Sequence, residues 1–143
     1  MKNQDIRWKQ RFDNFTKAYN LLRCALQEKE IDDFDDLQKE GLIHRFEYTF
    51  ELLWKTINDF LKYENVDIEI ISPKNVIKTA ASSNLLEHMN VDGEILLDMH
   101  EKRNLMSHTY DINKFTNTLK KLKYDYLPEM DKLYDYFFVK KDC

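Results

Sequence analysis

IHRFEYTFELLWKTINDF, residues 43–60, carries the pattern from which the fold follows. Ile43, Phe46, Phe50, Leu53, Ile57 and Phe60 step by three and four residues without a break, the period of one buried helix face. Leu42, Tyr48, Leu52, Trp54 and Leu61 widen the apolar coverage beyond a single stripe. A helix apolar on more than one side packs on more than one neighbour, and part of this surplus is available to a second subunit. The spacing predicts a helix over about 36–63 as the spine of the molecule, with Glu51 and Lys55 paired across one turn.

The same period recurs on both sides of the spine. Trp8, Phe12, Phe15, Tyr19, Leu22 and Leu26 predict a first helix over about 5–29, their rings serving as core. The acidic stretch from Glu28 to Glu40 suits helix capping. It lacks the alternating ligands and turn glycine of a calcium loop. After the spine, Val66, Ile68 and Ile70 alternate with Asp67 and Glu69, but no second strand pattern exists to pair with them, so an extended crossover is expected. Ser72 and Pro73 open a short third helix to about Ser83, with Val76, Ile77, Ala80 and Ala81 facing inward, and residues 84–90 link onward. Asp92 caps a fourth helix reaching about Tyr110, and Asp111 caps a fifth over about 112–138. Pro128 should kink or break that last helix, and the tail 139–143 should fray. The expected architecture is all-α: an antiparallel up-and-down helical bundle of four long helices plus a short one, forming a single domain over residues 1–143.

Composition narrows the function. Two glycines and two prolines in 143 residues leave little material for sheets or linkers, and a net charge of −4 gives no broad basic footprint for nucleic acid. Cys24 and Cys143 make no disulfide framework, and no zinc-ligand spacing occurs, so neither a metal nor a cofactor is expected. No secretory signal or membrane-spanning run is present, which predicts a reduced, cytoplasmic protein.

Chemistry concentrates in the stretch from Glu101 to Tyr110. Arg103 offers a permanent charge and a planar fork of donors, and His108 is a side chain able to move protons near neutral pH. At about 100° per residue, Arg103 shares its sector with Ile95, Leu96, Met99, Met106 and Tyr110, so it emerges from an apolar face. Asn104 and His108 share another face with Leu97 and Glu101. An undistorted helix points Arg103 and His108 about 140° apart. A site using both needs the helix to end near Thr109, or a second copy of the chain. A plain structural account also exists, with Arg103 extending from a core edge and His108 hydrogen-bonded at a helix end.

Several stretches together resemble the nucleotidyltransferase substrate-binding protein family of the HEPN superfamily of small helical bundles. They are residues 7–12 (RWKQRF), 44–56 (HRFEYTFELLWKT), 72–77 (SPKNVI), 92–94 (DGE) and 103–110 (RNLMSHTY), the last being the most diagnostic. The resemblance implies a prokaryotic helical partner of a minimal nucleotidyltransferase encoded nearby. In related toxin–antitoxin pairs the helical protein is a metal-independent endoribonuclease, working as a homodimer and silenced when its partner adenylylates the motif tyrosine. Carried over, Arg103 and His108 would be catalytic, Asn104 supporting, and Tyr110 the modification site, with RNA as substrate. The alternative is a noncatalytic substrate-binding subunit that completes the partner's cleft, with a nucleotide as a candidate ligand there. Tyr110 is expected to be exposed, and Tyr19 and Tyr126 hidden on core seams.

Overall fold

The three-four seams read from the sequence are the faces the chain buries. The computed structural model describes residues 2–142; Met1 and Cys143 lie outside them. The chain runs through α1 (Lys2–Gln27), a 3₁₀ turn (Ile31–Asp33), α2 (Asp36–Tyr63), α3 (Pro73–Ser82), α4 (Leu85–Met89), α5 (Gly93–His108), α6 (Ile112–Lys121), a π turn (Leu122–Tyr126) and α7 (Leu127–Lys141). The all-α reading holds, and no strand forms among the described residues.

Cross-helix contacts give the directions. Trp8 packs edge-on to Phe60 at 5.0 Å, Arg11 Nε donates to Asp59 Oδ2 at 3.0 Å, and Arg45 reaches the Leu21 carbonyl at 3.4 Å, so α1 and α2 run antiparallel. Glu47 and Glu51 of α2 meet Ser107 and Arg103 of α5 in reverse order. The final helices turn back along α5, with Thr118 at Met106 and Tyr126 at Asp98. Tyr19 donates to Asp131, and Lys141 Nζ lies 2.6 Å from Asp13 Oδ1, which lays α7 antiparallel to α1.

The spine buries most of its own surplus. Leu42, Trp54 and Leu61 are buried within the chain beside the main seam, whereas Tyr48 is exposed. Buried hydroxyls on this helix are satisfied locally: Thr49 Oγ1 and Thr56 Oγ1 each donate to the carbonyl four residues back, at 2.7 Å. Asp35 closes the N-terminus with a capping box to Gln38, and Asn65, at φ 62°, lets Val66 N return to the Leu61 carbonyl at the other end. Val66 and Ile68 then pack partly against the core while Asp67 and Glu69 stay exposed, the alternation of an extended crossover.

Four expectations need correction. Residues 84–90 contain α4, a single turn that buries Leu85, Leu86 and Met89 between Asn84 and Asn90, both in the left-handed region. Five residues are too few to display a period. Pro128, by contrast, brings the local break expected of it. The backbone widens into a π turn immediately before it and continues, which relieves the clash a proline ring makes with the preceding turn. The expected fraying fails over Val139–Lys141, which are helical; the last residue of that expectation, Cys143, lies outside the described residues. Finally, α1 ends at Gln27 rather than near Lys29, and the helix expected to reach about Tyr110 ends at His108. Among the described residues, no helix is long and apolar enough to cross a membrane.

Candidate functional site on α5

Helix α5 begins where Asp92 Oδ1 accepts from Glu94 N at 2.9 Å. Gly93 sits so close to Leu86 that a β-carbon would lie 3.2 Å from its Cδ1. Leu96, Met99 and Met106 form the buried seam, and Arg103 occupies the seam position between the two methionines. Its Nη2 donates to Glu51 Oε2 at 3.1 Å, while its Nε is buried without a partner. Glu51 also accepts from Trp54 Nε1 at 3.0 Å and pairs with Lys55 at 3.3 Å. Burial alone would raise the Glu51 pKa. The Trp54 and Lys55 hydrogen bonds and the Arg103 charge outweigh it and hold the carboxyl below its ordinary value.

One turn on, Ser107 Oγ lies 2.8 Å from Glu47 Oε2 and 2.9 Å from the Arg103 carbonyl, so its single proton serves one or the other. The helix stops at His108, which is exposed, and Thr109 is extended at φ −136° and ψ 129°. The helix thus ends beside Thr109, but Arg103 and His108 both lie within it and keep their separation of about 140°. Asp111 then accepts from Asn113 N and Lys114 N at 3.0 and 3.2 Å and starts α6. Tyr110, between the two helices, is 68% exposed with its ring edge against Phe115 at 5.4 Å. The slight desolvation of its phenol and the nearby Glu40 and Asp36 carboxylates raise its pKa. Tyr19 and Tyr126 are buried, as their seams required.

Within one chain the four sequence candidates do not converge. Arg103 turns into the α2 interface, Asn104 turns toward α3, and His108 and Tyr110 sit at the helix end. Asn104 Nδ2 lies 3.4 Å from His100 Nε2, and His100 is the residue that sequence reasoning passed over. Its ring stacks on Phe50 at 6.1 Å, and its Nδ1 is buried without a partner. Burial, then the Arg103 charge, depress its pKa, which keeps it neutral at pH 7. Its four-residue spacing from Asn104 was the available signal.

His100 and Asn104 open on a groove of about 520 Å³ between α3 and α5. Lys74 and Lys78 line the α3 wall; Glu94, Leu97, Asp98 and Glu101 line the α5 wall. Asp98 is already compensated. It accepts from Tyr126 Oη and pairs with Lys102 and Lys121 at 3.3 and 3.4 Å. Among the described residues, no group of three or more His, Cys, Asp or Glu side chains is placed to hold a metal.

No curated protein matches the chain. A family does: the description "nucleotidyltransferase substrate binding protein like" fits residues 10–137, from the first helix to the seam of α7. That span takes in the spine, the α3–α5 groove and the whole Arg103–Tyr110 stretch, and the chain belongs to this family.

Proposed function

We propose that this protein is the helical, substrate-binding subunit of a two-component nucleotidyltransferase, whose transfer chemistry resides on a separate minimal nucleotidyltransferase. The observation that carries this reading is the fate of Arg103. Its guanidinium is paired with Glu51 inside the α2–α5 interface, and His108, in the last turn of the same helix, stands about 140° around it. A single chain therefore offers hydrogen-bonding groups for holding a ligand rather than a converged acid–base pair. The test is co-expression with the minimal nucleotidyltransferase encoded nearby. A stable complex, and nucleotidyl transfer to a small-molecule acceptor that needs both chains, is the expected result; two proteins that neither co-elute nor depend on each other would overturn it.

The termination of α5 favours a second reading. Because the helix ends at His108, a facing copy of the chain could pool its Arg103 with this His108 in a homodimer cleft. There the protein would act as a metal-independent endoribonuclease toxin. His108 would move the proton of an attacking ribose 2′-hydroxyl, Arg103 would exchange Glu51 for the phosphorane oxygens, and Asn104 would support the substrate. Adenylylation would join the Tyr110 oxygen to the α-phosphorus of a nucleoside triphosphate and release pyrophosphate, placing a bulky anion beside the site. Growth arrest on expression alone, relieved by His108→Ala and by the co-expressed partner, supports this reading. An unmodified Tyr110 by intact mass, together with harmless expression of the chain alone, would sink it and leave the binding subunit.

A further inference from the structure

The groove between α3 and α5 has a lining that is unusual in one respect: its opposite charges do not meet. Lys74 and Lys78, one turn apart on α3, make no ion pair among the described residues, and neither do Glu94 and Glu101 on the facing wall. At about 520 Å³ the space lies within the range of small-molecule sites, ~300–1,000 Å³. Leu97 supplies an apolar patch beside the acids, and the half-buried His100 ring lines the same space.

Three classes of occupant can be compared against this lining. A simple oxyanion such as phosphate would satisfy the lysines but lie against two uncompensated carboxylates. A polyamine or aminosugar would satisfy the carboxylates and leave the lysines without an acceptor. A ligand with an anionic head and a neutral body rich in hydroxyl and amino donors uses both walls. We propose that the α3–α5 groove binds a nucleoside monophosphate, its phosphate on Lys74 and Lys78 and its ribose hydroxyls or base amine on Glu94 and Glu101. Lysine ammonium groups are effective phosphate partners as point charges, and carboxylates accept well from paired hydroxyls. The His100 ring lines the groove beside Asn104, so its signals report on the occupant. Leu97 packs against the base.

The proposal deepens the substrate-binding reading by naming a ligand class on this chain. It is tested on the full chain without any partner, so its failure leaves the co-expression experiment untouched. Titrating AMP into the protein, followed by calorimetry and by the ring signals of the histidines, is the measurement. Adenosine and inorganic phosphate serve as half-ligands. AMP should bind at least about tenfold more tightly than either half, and the His100 signal, identified by its loss in His100→Gln, should move along the same curve. Lys74→Ala/Lys78→Ala, at exposed positions, should weaken AMP about tenfold with an unchanged thermal melt. Glu101→Gln should weaken AMP but not phosphate. Phosphate binding as tightly as AMP, an unmoved His100 signal at saturation, or a lysine double variant that binds like the parent would overturn the proposal.

Discussion

Arg103 stands in a seam otherwise built from Leu96, Met99 and Met106, and Glu51 is what makes that placement tolerable. Each side chain of the pair is about 30% exposed (29% and 31%), so the interaction falls between a surface and a buried ion pair. Glu51→Ala strips the acceptor from Arg103, Trp54 and Lys55 together. It should destabilise by ~1–3 kcal/mol in urea unfolding, because donors are left unpaired. Arg103→Met should cost less than ~1 kcal/mol, since an apolar chain suits the seam and Glu51 keeps its other partners. A larger loss for Arg103→Met than for Glu51→Ala would refute this ordering. The same residues set the pH response. Glu51 and Asp98 both have depressed folded pKa values, and so does His100, so the unfolded chain binds more protons at all three. The His100 share of stability is complete above pH ~6.5 and is lost as pH falls toward its folded value. The carboxylate share is complete above pH ~4.5 and is lost below it. Melting temperatures across pH 3–8 should therefore decline in two stages on acidification, and His100→Gln should remove the upper one.

At the scale of an element, the decisive feature is the short connection between α5 and α6. Thr109 leaves the helix in an extended conformation, Tyr110 leans on Phe115, and Asp111 restarts the chain by accepting from two backbone amides. Asp111→Ala should cost ~1 kcal/mol, the usual worth of an N-cap. Hydrogen exchange should quicken at Asn113 and Lys114 while the amides of α2 stay protected. Uniform loss of protection would mean the cap has no local role. The π turn before Pro128 shows the other way an element adapts. One widened turn joins α6 to α7 and presents Tyr126 Oη to Asp98 on α5.

Across the whole molecule the buried residues form one continuous cluster, in which Trp8 joins three helices. Its ring meets Phe60 of α2 at 5.0 Å and Phe137 of α7 at 5.6 Å, and its Nε1 donates to Asp5 at 3.1 Å. Removing it takes packing from α1, α2 and α7 at once, so Trp8→Ala should cost ~3–5 kcal/mol. The parent should unfold in one transition, with far-ultraviolet circular dichroism and tryptophan fluorescence coinciding. Separate transitions for the two probes would show that the helices do not share one cooperative core.

Periodicity alone determined the helices that bury their seams on one another, because a three-four repeat and a capping residue are local facts. Residues 36–63 were delimited to the residue for that reason, and so were the starts of α3 and α6. The exposure of Tyr110 followed from the same local chemistry. What the sequence left undecided was every pairing across helices: that Arg103 turns to Glu51, and that Lys74 and Lys78 face Glu94 and Glu101 across open space. Those partners are separated by up to 52 positions in the chain. Which of them approach depends on how α2, α3 and α5 rotate about their axes when the common core closes, a choice made by packing that no single segment contains.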